Sequence, residues 1–187
     1  MNRMGNRIWL SAAVAWGIAE ATLFFIVPDV LLTAAVVKRG GRVALRLAVV
    51  AALAATAAGA LMWVWGAADS DGARAVLLKV PAVGPDLLAR VADEMSGWWA
   101  VHLVAGAVTG VPYKLYAVEA GARGIALVPF LAVSFGARLA RFSLSVAITA
   151  AGAAGLDRIG APRFKAPLLA LGWLAIYAVY FAIRAAA

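Results

Sequence analysis

Two stretches of this chain, Leu47 to Ala68 and Ala166 to Ile183, carry no charged side chain. Each is close to the roughly 20 apolar residues that a helix needs to cross the hydrocarbon of a bilayer. In lipid a segment must satisfy its own backbone groups, which a helix does and an open strand does not. Composition agrees: 65% hydrophobic and 14% charged residues, with a mean hydropathy of +0.93, are too apolar for a water-soluble domain. The expectation is therefore an all-α integral membrane protein, with residues 1–187 forming a single membrane domain.

The remaining apolar segments are interrupted. Ile8 to Val37 carries Glu20, Pro28 and Asp29, and is too long for one span yet too short for two with a soluble turn. Trp98 to Ala122 carries His102, Gly110, Pro112, Lys114 and Glu119. Val27-Pro28 and Arg39-Gly40 recur 84 residues later as Val111-Pro112 and Arg123-Gly124. Paired, proline-broken hydrophobic segments in matching positions are the sequence pointer to a transporter-like repeat. Backbone freed by proline survives at depth only when it is buried in protein or faces a wet cavity. Each segment is thus expected to be a re-entrant helical hairpin followed by a transmembrane helix, and the two halves to form an inverted repeat. The first half covers about residues 8–68 and the second about 96–156. A C-terminal span follows at about 166–185.

Between the halves, residues 69–95 hold an acidic cluster and the interruption Pro81, Gly84, Pro85. Leucines among Arg90, Asp93 and Glu94 predict short amphipathic pieces lying on the membrane surface. Trp63, Trp65, Trp98 and Trp99 flank them as an aromatic belt. The net charge of +8 is read as topology. Arg3, Arg7, Lys38, Arg39, Arg42 and Arg46 flank the first hairpin, and Arg158, Arg163 and Lys165 precede the last span. The positive-inside rule makes that side cytoplasmic, with a cytoplasmic N-terminus and the C-terminus outside. The N-terminus imitates a secretory signal, but its apolar run continues past Glu20, so it is expected to be retained.

A charge at the bilayer centre costs about 2.5 to 3.5 kcal/mol, so Glu20, Asp29, Lys114, Arg138 and Arg141 must pair or face water. Asp29 follows Pro28, as in a routine helix start. Lys114 stands where the helix dipole opposes a cation, so an anion is expected nearby. A half-helix N-terminus reinforced by a lysine is a candidate anion site. Its anion is either internal, Glu20 or Asp29, or external, such as a lipid phosphate. Ser134, Arg138, Arg141, Ser145 and Thr149 share one helical face, a polar stripe that offers guanidinium forks and hydroxyls to phosphate if it faces inward. His102 reads as a packing residue, and Glu119 as a local partner of Arg123. Ala48, Ala52, Thr56 and Ala60 make a small-residue face for close helix packing. The absence of cysteine excludes disulfides and thiolate metal sites. No nucleophile–base constellation, Walker-type loop or dinucleotide glycine pattern points to an enzyme, a metal or a cofactor.

The stretch AEATLFFIVPDVLL (Ala19 to Leu32) resembles the first signature of the DedA family, the SNARE-associated or VTT-domain membrane proteins. GVPYKLYAVEAG (Gly110 to Gly121) and SFGARLARF (Ser134 to Phe142) resemble the second, especially in the short bacterial branch. The chain departs from that pattern in lacking a glycine between Pro28 and Asp29 and in where its second-half basic residues stand. The resemblance implies two facing re-entrant hairpins in a bacterial inner membrane. It also implies transport or scrambling of lipids, including undecaprenyl phosphate, with proton coupling through Glu20 and Asp29.

The leading expectation is therefore a lipid translocase for phospholipid or undecaprenyl phosphate. In it Lys114, Arg138, Arg141, Ser134 and Ser145 hold the phosphate, and Glu20 and Asp29 exchange a proton or pair with the cations. The alternatives are a proton-coupled exporter of a small ion or drug, and a non-transporting membrane assembly factor. The expected partners are membrane lipids and an anionic lipid phosphate, not nucleic acid, since no basic face rich in exposed aromatics is present. Homo-oligomerisation is left open.

Overall fold

The computed structural model describes residues 3–186, with side chains described from Asn6 to Ile183. The regular secondary structure of the described residues is all helical, with no strand. Helix α1 (Arg3–Thr22) is followed by a break, then α2 (Asp29–Arg39) and the long α3 (Gly41–Ala68). Two short helices, α4 (Ser70–Leu77) and α5 (Pro85–Glu94), form the connector. A second broken pair, α6 (Trp99–Thr109) and α7 (Tyr113–Ala122), leads into α8 (Leu127–Arg158). A 3-10 turn (Pro162–Phe164) then introduces α9 (Lys165–Ala186). Three of these segments, Gly41–Ala68, Leu127–Arg158 and Pro162–Ile183, are long and apolar enough to cross a membrane.

The two breaks are built differently. In the first, the freed backbone groups are met by side chains from three directions. Trp16 Nε1 donates to the carbonyl of Ile26 at 2.9 Å, Lys114 Nζ donates to that of Phe24 at 2.7 Å, and the N–H of Val27 donates to Tyr177 Oη at 3.0 Å. In the second, Gly110 takes a left-handed conformation (φ 84°), and the N–H groups of Gly110 and Val111 both reach the carbonyl of Gly106. That is a glycine helix stop, after which Pro112, in extended conformation, restarts the chain as α7.

Helix α7 is the most enclosed element: Tyr113 to Gly121 are all buried. It lies against α3, where the two backbones approach through glycines. A Cβ on Gly66 would stand 2.1 Å from the carbonyl oxygen of Val118, and one on Gly121 only 1.9 Å from that of Trp63. Helix α1 uses the other side of α3, with Gly17 against the backbone of Ala51. Of the small-residue face anticipated on α3, Ala48 and Ala52 are buried and Thr56 and Ala60 half-buried, and the neighbouring Ala51, Ala55 and Ala58 are buried as well.

The connector is amphipathic as expected, but it does not simply lie on a surface. Leu77, Leu87 and Val91 pack into the core with α7, and its tip, Val80 and Val83, is also buried. Hydrogen bonds bind it to α7 from both helices. Arg74 of α4 chelates Glu119 at 2.7 and 2.8 Å, and Tyr116 of α7 donates to Glu94 of α5 at 2.7 Å. The side chain of Arg123 also reaches the carbonyl of Ala92. Glu119 was expected to pair with Arg123, but that contact is only 3.9 Å long and Arg74 is the principal partner. Donating these hydrogen bonds to Glu119 holds the Arg74 guanidinium above its ordinary pKa.

Charge is distributed by end. Val37, Leu156 and Lys165 line one cleft, and Arg39 reaches Asn6, so the end of α2, the start of α1 and the α8–α9 turn gather together. This end carries Lys38, Arg39, Arg158, Arg163 and Lys165. The opposite end carries Asp69, Asp71, Asp86, Asp93 and Glu94 with the tryptophans that flank them, and among these acids stand Arg74, Lys79, Arg90 and Arg123.

Candidate functional site

The two breaks come together through their charged residues. Glu20, near the end of α1, lies 2.8 Å from Arg138 Nη2 of α8. Asp29, the first residue of α2, lies 3.2 Å from Arg141 Nη2 and accepts a hydrogen bond from Ser145 Oγ at 2.5 Å. Helical spacing on α8 explains the arrangement: Arg138, Arg141 and Ser145 fall on one face, which turns inward toward α1 and α2. The polar stripe is therefore an interior one. Arg138 also lies over the ring of Tyr113, its guanidinium carbon 4.1 Å from the centroid, so α7 forms one wall of its pocket.

Lys114 is 1% exposed and donates to the carbonyl of Phe24 across the gap between the breaks. The carboxylates that could have neutralised it are engaged by the two arginines, and it makes no salt bridge among the described residues. At formal charge, Lys114, Arg138 and Arg141 face Glu20 and Asp29, which leaves the cluster one positive charge in excess. Glu20 Oε2, Asp29 Oδ2 and Arg138 Nε, though close to opposite charges, have no directed hydrogen bond among the described residues. Spare donor and acceptor capacity is therefore present on both signs of charge.

Beside this cluster lies a cavity of about 130 Å³. Glu20, Lys114 and Arg141 supply its polar wall. Phe24, Phe25, Val111 and Pro112 from the two breaks, together with Trp173 and Tyr177 of α9, supply the apolar remainder. Val80 and Pro81 at the connector tip also reach it. A smaller pocket on the other side of Glu20 is lined by Arg138, Arg141, Tyr113 and Tyr116. A charged edge on an otherwise apolar hollow suits an amphiphile, or the charged end of one, better than a small hydrophilic solute.

Of the residues singled out in the sequence, Glu20, Asp29, Lys114, Arg138 and Arg141 do assemble. Glu20, Lys114 and Arg141 line the larger cavity directly. The two serines fall elsewhere. Ser134 is fully buried on α8 beneath Tyr113, and Ser145 is spent on Asp29, so neither lines that cavity. The aromatic wall from α9 was missed. Trp173 donates to Thr33 Oγ1 at 2.9 Å and Tyr177 accepts from Val27, so a span that reads as plain lipid-facing apolar sequence has one specific inward face. Its only signal was the spacing of Trp173, Tyr177 and Phe181 at every fourth residue. No group of histidine and carboxylate ligands able to hold a metal occurs among the described residues. Comparison with family models, with curated proteins and with solved structures gives no match for this chain.

Proposed function

We propose that this protein moves a phosphate-headed lipid, phospholipid or undecaprenyl phosphate, between the leaflets of a bacterial inner membrane, and that its two broken helix pairs act as facing re-entrant hairpins of an inverted repeat. The observation that carries this reading is the buried ammonium of Lys114, which makes no salt bridge among the described residues, at the edge of an apolar cavity. One excess positive charge, walled by aromatics, attracts an anionic head that brings acyl or prenyl chains with it. Arg141 would share the phosphate with Lys114, while Glu20 and Asp29 either release their arginines to it or take up a proton as it passes. The resemblance of Ala19 to Leu32 and Gly110 to Gly121 to DedA signatures points the same way.

Reconstitution into vesicles carrying a headgroup-labelled lipid tests the proposal. The expected result is loss of leaflet asymmetry faster than in protein-free vesicles. Protein-containing vesicles that keep their asymmetry as long as empty ones would refute it. One observation favours a different reading: both carboxylates are already paired with arginines, as in a membrane assembly factor whose buried charges only fix packing. Under that reading Glu20→Gln and Arg138→Ala alter stability alone, and no lipid movement accompanies the wild type.

A further inference from the structure

The cleft of about 400 Å³ between α5, α6 and α9 is separate from the central cluster. Faces of these three helices build it, with Tyr116 of α7 between them. Arg90 and Glu94 stand one turn apart on α5, their charged atoms 3.4 Å from each other. His102, Gly106 and Thr109 follow one another at helical spacing along α6. From α9 comes Tyr180, which also lines the central cavity. Helix α9 packs against α2 and the 3-10 turn rather than against α6, and this leaves the cleft between them.

Position and chemistry together define what fits. Helix α6 is entered through Trp98 and begins at Trp99, side chains of the type that favours a membrane–water boundary, and His102 lies one turn further in. The charged mouth of the cleft is therefore at headgroup level. Arg90 is half exposed and Glu94 about one-fifth exposed, so both remain open to a ligand. Glu94 is held in place by the hydroxyl of Tyr116, and Gly106 makes room for that ring: a Cβ there would stand 2.4 Å from the tyrosine oxygen. One cation and one anion at this spacing make a neutral, dipolar mouth, unlike the net positive centre.

We infer that this cleft is a second lipid site, one that holds the head of a zwitterionic phospholipid, its phosphate on Arg90 and the N–H of His102 and its ammonium on Glu94. A phosphate and an ammonium joined by a short ethylene link match an arginine and a glutamate that already touch. Guanidinium–phosphate and carboxylate–ammonium contacts are both charge-assisted. The inference rests on the membrane location of the chain and not on the transport reading.

Native mass spectrometry of delipidated protein, titrated with phosphatidylethanolamine, phosphatidylglycerol or diacylglycerol, tests it. Phosphatidylethanolamine is expected to bind tightest. Arg90→Gln and Glu94→Gln should each weaken it about tenfold, the loss of one charge-assisted hydrogen bond. Arg90→Lys, which keeps the charge, retains most of the binding. Glu94→Gln still accepts from Tyr116, so its effect reports charge and not collapse of the cleft. The same titrations in a Lys114→Gln background, where the central cavity lacks its lysine, should still show phosphatidylethanolamine binding that depends on Arg90 and Glu94, and this separates the site from the central cavity. Equal binding of all three lipids, or wild-type affinity in both glutamine variants, would overturn the assignment.

Discussion

Lys114 and Glu119 are both buried on α7, and they differ in how their charge is answered. Glu119 is fully buried and receives a two-pronged bond from Arg74, which is itself 30% exposed and reaches α7 from the connector. Removing the carboxylate strands a guanidinium that can still turn toward water. Glu119→Ala is therefore expected to cost about 1 to 3 kcal/mol, below the full penalty of breaking a buried pair. Thermal unfolding in detergent checks this, and adding Arg74→Ala should cost little more, because the two residues act as one unit. That the charges at depth are exceptional was legible from the chain, since an apolar context makes each of them expensive. Their partners were not. Local spacing favoured Arg123 for Glu119, whereas the partner comes from 45 residues away through a fold that brings α4 alongside α7.

At the scale of elements, the breaks were readable because proline and glycine leave little choice. Pro28 and Pro112 restart helices where they stand, and Gly40, Gly110 and Gly124 all take positive φ at helix ends. The side-chain scaffolding of the first break was not readable, because it needs Trp16, Lys114 and Tyr177 to arrive from three different helices. Nor was the depth of the connector, whose sequence is compatible with any interface that has one wet face. The α3–α7 crossing gives the sharpest expectation at this level. Gly121→Ala places a methyl within 1.9 Å of the carbonyl oxygen of Trp63, so the two backbones must separate. A loss of about 1 to 3 kcal/mol is expected in a melting experiment. Gly97→Ala, where nothing lies within 4 Å, should leave the melt nearly unchanged. Similar melts for the two variants would mean that the crossing is looser than described.

At the scale of the whole molecule, the chain is strongly basic at one end and only weakly acidic at the other, with the charge cluster between the two breaks. All-helical architecture and three helices able to cross a membrane follow from the apolar runs alone. Orientation follows from the positive-inside rule: the basic end should face the cytoplasm. Because the chain has no cysteine, single substitutions report this cleanly. In intact cells a membrane-impermeant maleimide should label Gly97→Cys, at the acidic end, and should label Phe164→Cys only after permeabilisation. The opposite pattern would invert the topology. The central claim is that the buried charge of Lys114 receives a lipid phosphate, and it is tested most directly by leaflet exchange of a headgroup-labelled anionic lipid in vesicles containing wild type, Lys114→Gln or Lys114→Arg. The account predicts exchange slowed about tenfold or more in the glutamine variant, the worth of a charge-assisted hydrogen bond, and largely restored by arginine. Exchange at the wild-type rate by correctly folded Lys114→Gln would contradict it.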